Sequence, residues 1–149
     1  MNVYRIALAK YARSLAASGN AARWNSREVK MIYTASTRAL ACLENVVHRS
    51  SIGLQDQFRI MVLDIPADVA ITVLNREKLP AHWHLFEHYP DTRALGDAWI
   101  SKGETAVCQV PSAIIAEEFN YLLNPAHAEF SKIKLVRTAV FEFDPRIKK

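Results

Sequence analysis

Arg23, Trp24 and Asn25 follow one another in a polar stretch, and residues of these types can bind a phosphorylated ligand. The planar guanidinium of arginine fits phosphate oxygens through paired hydrogen bonds. A neighbouring indole ring can stack on a base or a pyridine. A surface arginine beside a tryptophan that anchors its loop explains the same three residues, so the segment suggests a phosphate site without establishing one.

Glu44 interrupts a segment that is otherwise mostly apolar. Residues 37–48 carry apolar side chains at helical spacing, and Glu44 falls at the edge of that stripe. Burying an unpaired carboxylate is costly, so Glu44 must reach solvent, pair with a structural arginine, or be the perturbed carboxylate of a cleft. Glycosyl-transfer chemistry requires the last of these, and the spacing alone leaves all three open.

Tyr33 and Ser112 each stand at the end of a predicted strand. The Tyr33 ring can face the core or a pocket between its strand and the next helix, and the spacing favours the core. Ser112 follows Pro111 and lacks the GxSxG context of a nucleophile elbow, so we do not expect an acyl-transfer nucleophile. A turn or capping serine is the simpler interpretation.

Neither a metal site nor a disulfide is expected from the remaining reactive side chains. His82, His84 and His88 lie close together, but no carboxylate or cysteine pattern completes a metal site. Cys42 and Cys108 are far apart and form no CxxC motif. Two such cysteines are typical of small buried hydrophobic residues in a reducing compartment.

Short strands and a few helices must position these residues. Ser36 is the predicted N-cap of the second helix, and Leu95, Ala98 and Trp99 form the predicted inward face of the third. The irregular order of strands and helices predicts a compact α+β fold rather than regular βαβ winding. The pattern predicts strands at 3–6, 31–34, 58–65, 70–74, 105–110 and around Phe141 and Phe143, and helices at 7–17, 37–48 and 91–100.

Length and composition favour an ordinary globular protein. A chain of 149 residues can bury one good core but not two, so we expect a single domain over residues 1–149. No window offers the roughly 18 apolar residues of a membrane span, and the first residues lack a signal-peptide core. We therefore expect a cytoplasmic protein without a membrane partner.

The charge of the chain suits an anionic ligand better than a nucleic acid. The formal net charge is +4, but the basic residues are spread along the sequence and no RNA-binding motif is recognisable. Direct nucleic-acid binding is therefore not expected. The four glycines form no Gly-rich phosphate loop, so side chains must do much of the work of holding any nucleotide.

Read in order, these segments resemble the RES domain, a family named for an arginine, a glutamate and a serine. The resemblance covers essentially the whole chain, although Ala21 and Ala22 stand where the family has glycines and Ser26-Arg27-Glu28 replaces a Pro-Gly turn. The matching segments are Tyr4-Arg5-Ile6, Ala22-Arg23-Trp24-Asn25, Ile32-Tyr33-Thr34, Ala39-Leu40-Ala41-Cys42-Leu43-Glu44, Leu95-Gly96-Asp97-Ala98-Trp99, Val110-Pro111-Ser112 and Leu123-Asn124-Pro125-Ala126-His127.

The resemblance implies a fold similar to that of ADP-ribosyltransferase toxins, with NAD bound in a cleft as the substrate and no metal. It implies the toxin of a toxin–antitoxin module that cleaves the nicotinamide–ribose bond by hydrolysis or phosphorolysis. Protein ADP-ribosylation is the alternative, and a non-enzymatic nucleic-acid or protein-interaction domain is a further one. The implied partner is a cognate antitoxin, often with a helix-turn-helix DNA-binding part, and a homo-oligomer can form within their complex.

Carried over residue by residue, the resemblance implies catalytic roles for Glu44, Arg23 and Ser112. Glu44 would stabilise the positive charge that develops on the ribose as nicotinamide leaves. Arg23, with help from Arg5, would pair with the phosphates, and Tyr33 would flank the nicotinamide ribose. The NAD-binding residues implied in this way are Arg5, Arg23, Trp24, Tyr33, Ser112 and Asn124.

Overall fold

The computed structural model describes residues 1–48 and 57–147, and its centre is a seven-stranded sheet. Within these ranges two helices, α1 (Arg38–His48) and α2 (Tyr89–Lys102), accompany the sheet. The strands in chain order are β1 (Asn2–Leu8), β2 (Ile32–Ala35), β3 (Phe58–Asp64), β4 (Ile71–Val73), β5 (Val107–Pro111), β6 (Phe119–Leu123) and β7 (Lys134–Phe141).

The strands lie side by side in the order β4-β5-β6-β2-β1-β3-β7. β4 and β5 are parallel, and every other neighbouring pair is antiparallel. Strands distant in sequence are therefore neighbours in space, as with β2 and β6. The predicted α+β class is confirmed, because a mixed sheet with two helices differs from regular βαβ winding.

Successive side chains of the central strands point to opposite faces of the sheet and belong to two separate hydrophobic clusters. In β3, Met61 and Leu63 belong to the largest cluster, whereas Phe58 and Ile60 belong to the one that packs against α1. The strand is thus buried on both faces, which explains why its sequence is an almost continuous apolar run. The cluster on the α1 side lies directly beside the candidate site.

The helix predicted over residues 7–17 is wrong. β1 continues through Leu8, which pairs with Phe58 of β3, and only a short 3-10 segment, Ala9–Tyr11, follows. Its first amide, that of Ala9, donates to the Gln57 carbonyl at 2.9 Å. Backbone groups at the start of this segment therefore form hydrogen bonds across the sheet instead of within a helix. This long-range pairing outweighs the local helical periodicity.

The helix predicted over residues 37–48 is confirmed as α1, but its cap and its buried face differ from the prediction. The Thr37 hydroxyl, not Ser36, accepts a hydrogen bond from the Leu40 amide at 3.0 Å. Leu40 is fully buried, whereas Leu43 and Val47 are 40% and 58% exposed. The helix is therefore rotated so that Leu40 and Ala41 pack against the core, while Glu44 and Asn45 are only partly exposed.

The remaining predictions are partly confirmed. The strands predicted at 31–34, 58–65, 70–74 and 105–110 correspond to β2, β3, β4 and β5, and the helix predicted at 91–100 is α2. β6 was not predicted, and Phe141 ends β7 while Phe143 lies beyond it. In α2, Trp99 is buried as expected, but Ala98 is exposed.

The two helices in the described part of the chain have 11 and 14 residues. Neither is long and apolar enough to cross a membrane, which takes about 20 residues.

Cys108 offers a test of the core around β5. Its side chain is 2% exposed, and burial raises the pKa of its thiol to about 12. Because the thiolate is the reactive form, iodoacetamide at pH 8 should leave Cys108 unmodified in the native protein and modify it in urea. Peptide mass spectrometry measures both, and the half-buried Cys42 is the internal comparison that should react sooner. Equal labelling of Cys108 in both conditions would contradict this packing.

Candidate active site

A cleft of about 490 Å³ opens between β1, β2, the two helices and a loop of residues 20–29. We call this loop the arginine loop and the cavity the main cleft. Five of the predicted site residues line the main cleft together: Arg5, Arg23, Trp24, Tyr33 and Glu44.

Side chains of α2 hold the backbone of the arginine loop in place. The Thr92 hydroxyl donates a hydrogen bond to the Arg23 carbonyl at 2.6 Å. Arg93 donates from Nε to the Ala22 carbonyl at 2.7 Å. Since unpaired buried carbonyls are costly, these two bonds fix the position from which the Arg23 side chain enters the cleft.

The next turn of α2 lies even closer to the arginine loop. Asp97 accepts hydrogen bonds from the Ser26 amide at 2.9 Å and from the Ser26 hydroxyl at 2.5 Å. Between these bonds, Gly96 faces the Trp24 backbone, and a Cβ at position 96 would lie 1.7 Å from the Trp24 carbonyl oxygen. Only a glycine lets the helix and the loop approach this closely.

Asn25 and Tyr33 complete the support of the loop from within. Asn25 is almost fully buried, and its Nδ2 donates to the carbonyls of Asn20 and Val29, each at 2.9 Å. The Tyr33 hydroxyl donates to Asn25 Oδ1 at 2.5 Å and accepts from the Trp24 amide at 3.0 Å. Burial raises the pKa of Tyr33 above its ordinary value, so the hydroxyl stays protonated and keeps this role.

Two guanidinium groups converge on the ring of Tyr89 at the start of α2. The Cζ atom of Arg23 lies 4.7 Å from the ring centroid, and that of Arg93 lies 5.2 Å from it. Cation–π contacts of this kind stabilise the charges without neutralising them. Neither arginine forms an ion pair with a carboxylate in the described ranges, so this wall of the cleft stays positively charged.

Arg5 adds a third positive charge from β1. The residue is half-buried, and no hydrogen bond or ion pair joins its guanidinium to a residue that the structure describes. Burial lowers the pKa of Arg5, because removal from water disfavours the charged form. An anion in the cleft would relieve that penalty.

Glu44 is the single acidic residue among the described residues that line the main cleft. Its side chain is 24% exposed, and its Oε2 lies 3.1 Å from Nε2 of His48, one turn later in α1. No described arginine forms an ion pair with it, so the structural-arginine explanation does not apply within these ranges. The carboxylate is therefore held by one partner and remains open to the cleft.

Trp24 lies at the cleft, but its ring packs inward. The residue is 3% exposed, and its ring centroid lies 5.7 Å from that of Trp83. The indole therefore supports the arginine loop from the core. Tyr89 was not among the residues predicted from the sequence, and its ring contacts both Arg23 and Arg93, while the Cζ atom of Arg23 also lies 5.6 Å from the centroid of the Trp83 ring.

Ser112 and Asn124 do not line the main cleft. Both are 2% exposed, and both accept hydrogen bonds from the backbone that follows them. The Ser112 hydroxyl accepts from the amides two and three residues on, each at 3.1 Å, while Asn124 Oδ1 accepts from the Ala126 amide at 3.0 Å. Ser112 thus shapes the turn that brings its neighbour Ala113 to the cleft wall.

Sequence reasoning missed the residues that the two helices contribute. Each helix presents positions i, i+3, i+4 and i+7 to the site, which is one helical face. The helical spacing was visible in the sequence, but nothing local showed that these polar faces border the main cleft. The missed residues are Asn45 and His48 of α1, which line the cleft with Glu44, and Tyr89, Thr92, Arg93 and Asp97 of α2.

Comparisons with known proteins match this chain over most of its length. Residues 2–144 match the family model of the RES domain. The chain is 37% identical over 127 residues to a protein of Sphingobium sp. (strain YBL2) named Prs ADP-ribosylating toxin, covering 84% of this chain and 79% of the relative. It is 31% identical to a protein named Toxin Res from Yersinia enterocolitica, covering 99% of this chain and 100% of the relative.

A solved structure supports the fold independently. One chain of the M. tuberculosis MbcT-MbcA toxin–antitoxin complex superposes with a TM-score of 0.79, covering 95% of this chain and 84% of that chain. The sequence identity is 17%, so this likeness concerns the fold alone.

The close approach of α2 to the arginine loop predicts that Gly96→Ala is strongly destabilising. A methyl group at this position collides with the Trp24 carbonyl, so we expect the free energy of unfolding to fall by about 3 kcal/mol. Urea unfolding followed by tryptophan fluorescence measures the loss.

Gly103→Ala is the matched control for that substitution. Gly103 ends the same helix with φ +62°, and alanine there meets strain but no close neighbour, which costs about 1 kcal/mol. If the two variants lose equal stability, the collision with Trp24 does not exist.

Proposed function

This chain belongs to the RES-domain family, and on that premise we propose that it is the toxin of a toxin–antitoxin module that binds NAD and cleaves the bond between nicotinamide and ribose. One observation carries the proposal: among the described residues that line the main cleft, the single carboxylate is that of Glu44, and it shares this lining with Arg5, Arg23 and Arg93. NAD combines two phosphates with a cationic leaving group, so its charges complement those of the cleft.

The arginines suit the pyrophosphate of NAD. Arg23 and Arg93 flank the Tyr89 ring, and Arg5 projects from β1 into the same space. Charge-assisted hydrogen bonds from guanidinium to phosphate are among the stronger polar contacts in proteins. Tyr89 can present its ring to the ribose or the pyridine while the two arginines hold the phosphates.

Glu44 can assist cleavage of the bond between nicotinamide and ribose. As the bond between the ribose carbon and the nicotinamide nitrogen lengthens, its electron pair moves to the nitrogen and neutralises the pyridinium ring. Positive charge then develops on the ribose, and a fixed carboxylate stabilises it most effectively where little water competes. His48, at 3.1 Å, orients the carboxylate.

An oxygen of the acceptor completes the reaction by bonding to the ribose carbon. Its proton passes to Glu44, to His48 or to solvent, which leaves nicotinamide and an ADP-ribosyl product. Water gives hydrolysis, phosphate gives phosphorolysis and a protein side chain gives ADP-ribosylation. Transfer to a protein is the second candidate function, because the Sphingobium relative is named as an ADP-ribosylating toxin.

The buried residues among the predicted set act by positioning, whether or not they line the main cleft. Tyr33 holds the arginine loop through its hydroxyl, and Ser112 fixes the turn that carries Ala113. We therefore assign Tyr33 a role through its ring and its loop contacts, and Ser112 a role in shaping the cleft wall. Trp24 supports the arginine loop by packing its ring against Trp83, and Asn124 fixes the turn after β6 through the Ala126 amide.

An antitoxin that covers the main cleft is the proposed partner. A toxin that consumes NAD must be silenced in the cell that makes it, and the structurally similar chain was solved within a toxin–antitoxin complex. A helix-turn-helix part in the antitoxin, and a homo-oligomer within the complex, remain predictions from the family resemblance.

Glu44→Gln tests the catalytic assignment. The amide keeps the size of the side chain and removes its charge, so the fold should persist while the rate of nicotinamide release falls by about 10²- to 10³-fold. Liquid chromatography of nicotinamide measures the rate, and product masses in the presence of phosphate or cell lysate identify the acceptor.

Glu142→Gln is the control, because Glu142 is exposed and does not line the main cleft. Unchanged NAD consumption by Glu44→Gln would remove Glu44 from the reaction. No nicotinamide release by the parent protein with water, phosphate or lysate would favour the non-enzymatic alternatives.

Arg23→Ala tests the phosphate assignment. Loss of a charge-assisted contact worth about 1.5–3 kcal/mol should weaken NAD binding by about tenfold or more. Calorimetry in the Glu44→Gln background measures the affinity without turnover. Arg27→Ala, in the same loop but 86% exposed and, among the described residues, paired with Glu28 alone, should leave the affinity unchanged; equal effects of both variants would mean that Arg23 does not contact the phosphates.

A further inference from the structure

A second cavity, of about 620 Å³, adjoins the main cleft. The two share a wall made of Arg5, Ile6, Asn45 and His48. The far side of the second cavity consists largely of the irregular segment 10–20 that follows β1. Because Arg5 belongs to both cavities, a group bound in the second one lies close to a ligand in the first.

The second cavity is positively charged. Its described lining includes Arg5, Lys10 and Arg13 and contains no carboxylate. Lys10 contacts the Tyr11 ring at 4.9 Å, and neither Lys10 nor Arg13 forms an ion pair in the described ranges. Three cations around one space repel one another, so the arrangement favours an anion between them.

The shared wall also holds a polar atom that needs a partner. Asn45 donates from Nδ2 to the Ile6 carbonyl at 3.2 Å, which fixes the orientation of its amide group. Its Oδ1 is buried and, within the described part of the chain, accepts no hydrogen bond. A buried acceptor without a protein partner is rare, and the hydroxyl of a ligand or a bound water molecule can supply the hydrogen bond.

We propose that the second cavity is a phosphate subsite in which Lys10, Arg13 and Arg5 bind the oxyanion while Asn45 accepts a hydrogen bond from a hydroxyl of the same ligand or of the adjoining sugar. This inference rests on the proposed function only in taking NAD as the ligand of the neighbouring main cleft; the phosphate site itself does not depend on it. The phosphate can be free hydrogen phosphate or a phosphate of the dinucleotide itself, because both present the same oxygens.

The two sources have different consequences. Free hydrogen phosphate in this cavity would stand beside the reacting sugar as an acceptor. One of its oxygens would bond to the ribose carbon as the bond to nicotinamide breaks, the electron pair would stay on the nicotinamide nitrogen, and the product would be a sugar phosphate that loses its remaining proton to solvent. A phosphate of the dinucleotide would instead contribute only to NAD affinity.

The double variant Lys10→Gln/Arg13→Gln tests the subsite. Both residues are exposed, so the fold should persist. Its control is Lys134→Gln/Arg137→Gln, which removes the same two charges from exposed positions of β7 that line neither cavity. Calorimetry in phosphate-free buffer, in the Glu44→Gln background, measures the affinities for inorganic phosphate and, separately, for NAD.

We expect the Lys10/Arg13 variant to bind inorganic phosphate or NAD about tenfold more weakly than the control. Weaker phosphate binding with unchanged NAD binding identifies an acceptor subsite, and weaker NAD binding identifies a subsite for the dinucleotide. If neither affinity falls, the proposal is wrong. These measurements do not need turnover, so they stay readable even if the parent protein releases no nicotinamide from NAD.

Discussion

The contact between α2 and the backbone of the arginine loop is the constraint on which the candidate site depends. Gly96 lets the helix approach until no Cβ fits, and Thr92 and Asp97 satisfy the loop backbone on either side of that contact. The same helix supplies Tyr89 and Arg93 to the cleft. One interface therefore sets both the entry point of Arg23 and the position of the groups that surround it.

The loop reaches this geometry without the glycines of its family pattern. Glu28 takes φ +70°, a left-handed conformation that glycine adopts freely and other residues adopt at a cost of about 1–2 kcal/mol. The Glu28 amide donates to the Gly19 carbonyl at 2.8 Å, and Asn25 holds the residues between them. Hydrogen bonds inside the loop thus compensate for the missing backbone freedom.

Local sequence patterns predicted the elements whose burial leaves few alternatives. β3 and β5 are buried on both faces, so their apolar runs were readable directly. The segment 7–17 has a helical period that the sheet overrides, and β6 becomes a strand only because β2 and β5 pair with it. Pairing partners distant in sequence leave no local signal, which is why these two segments were misassigned or missed.

The residues of the candidate site likewise fall into those that the sequence could predict and those that it could not. Arg23, Tyr33 and Glu44 could be selected because their residue types are unusual for their positions or fit a family motif. Arg93 and His48 looked like ordinary polar residues of solvated helix faces, since only the packed structure shows that those faces line the main cleft. Several candidate site residues could therefore be predicted from the sequence, whereas the gathering of three arginines around one cleft could not.

That convergence has a thermodynamic meaning. Arg5, Arg23 and Arg93 line one cleft with a single carboxylate among its described lining residues, and the burial of Arg5, which lowers its pKa, is costly for the folded protein. Clusters of like charge at functional sites reduce stability in exchange for ligand binding. An anion that binds only the folded state returns that free energy in proportion to its affinity. The positive charge that lowers the stability of the unliganded protein is thus also the source of its affinity for a phosphorylated ligand. The contact between α2 and the arginine loop at Gly96 keeps Arg23 and Arg93 close together.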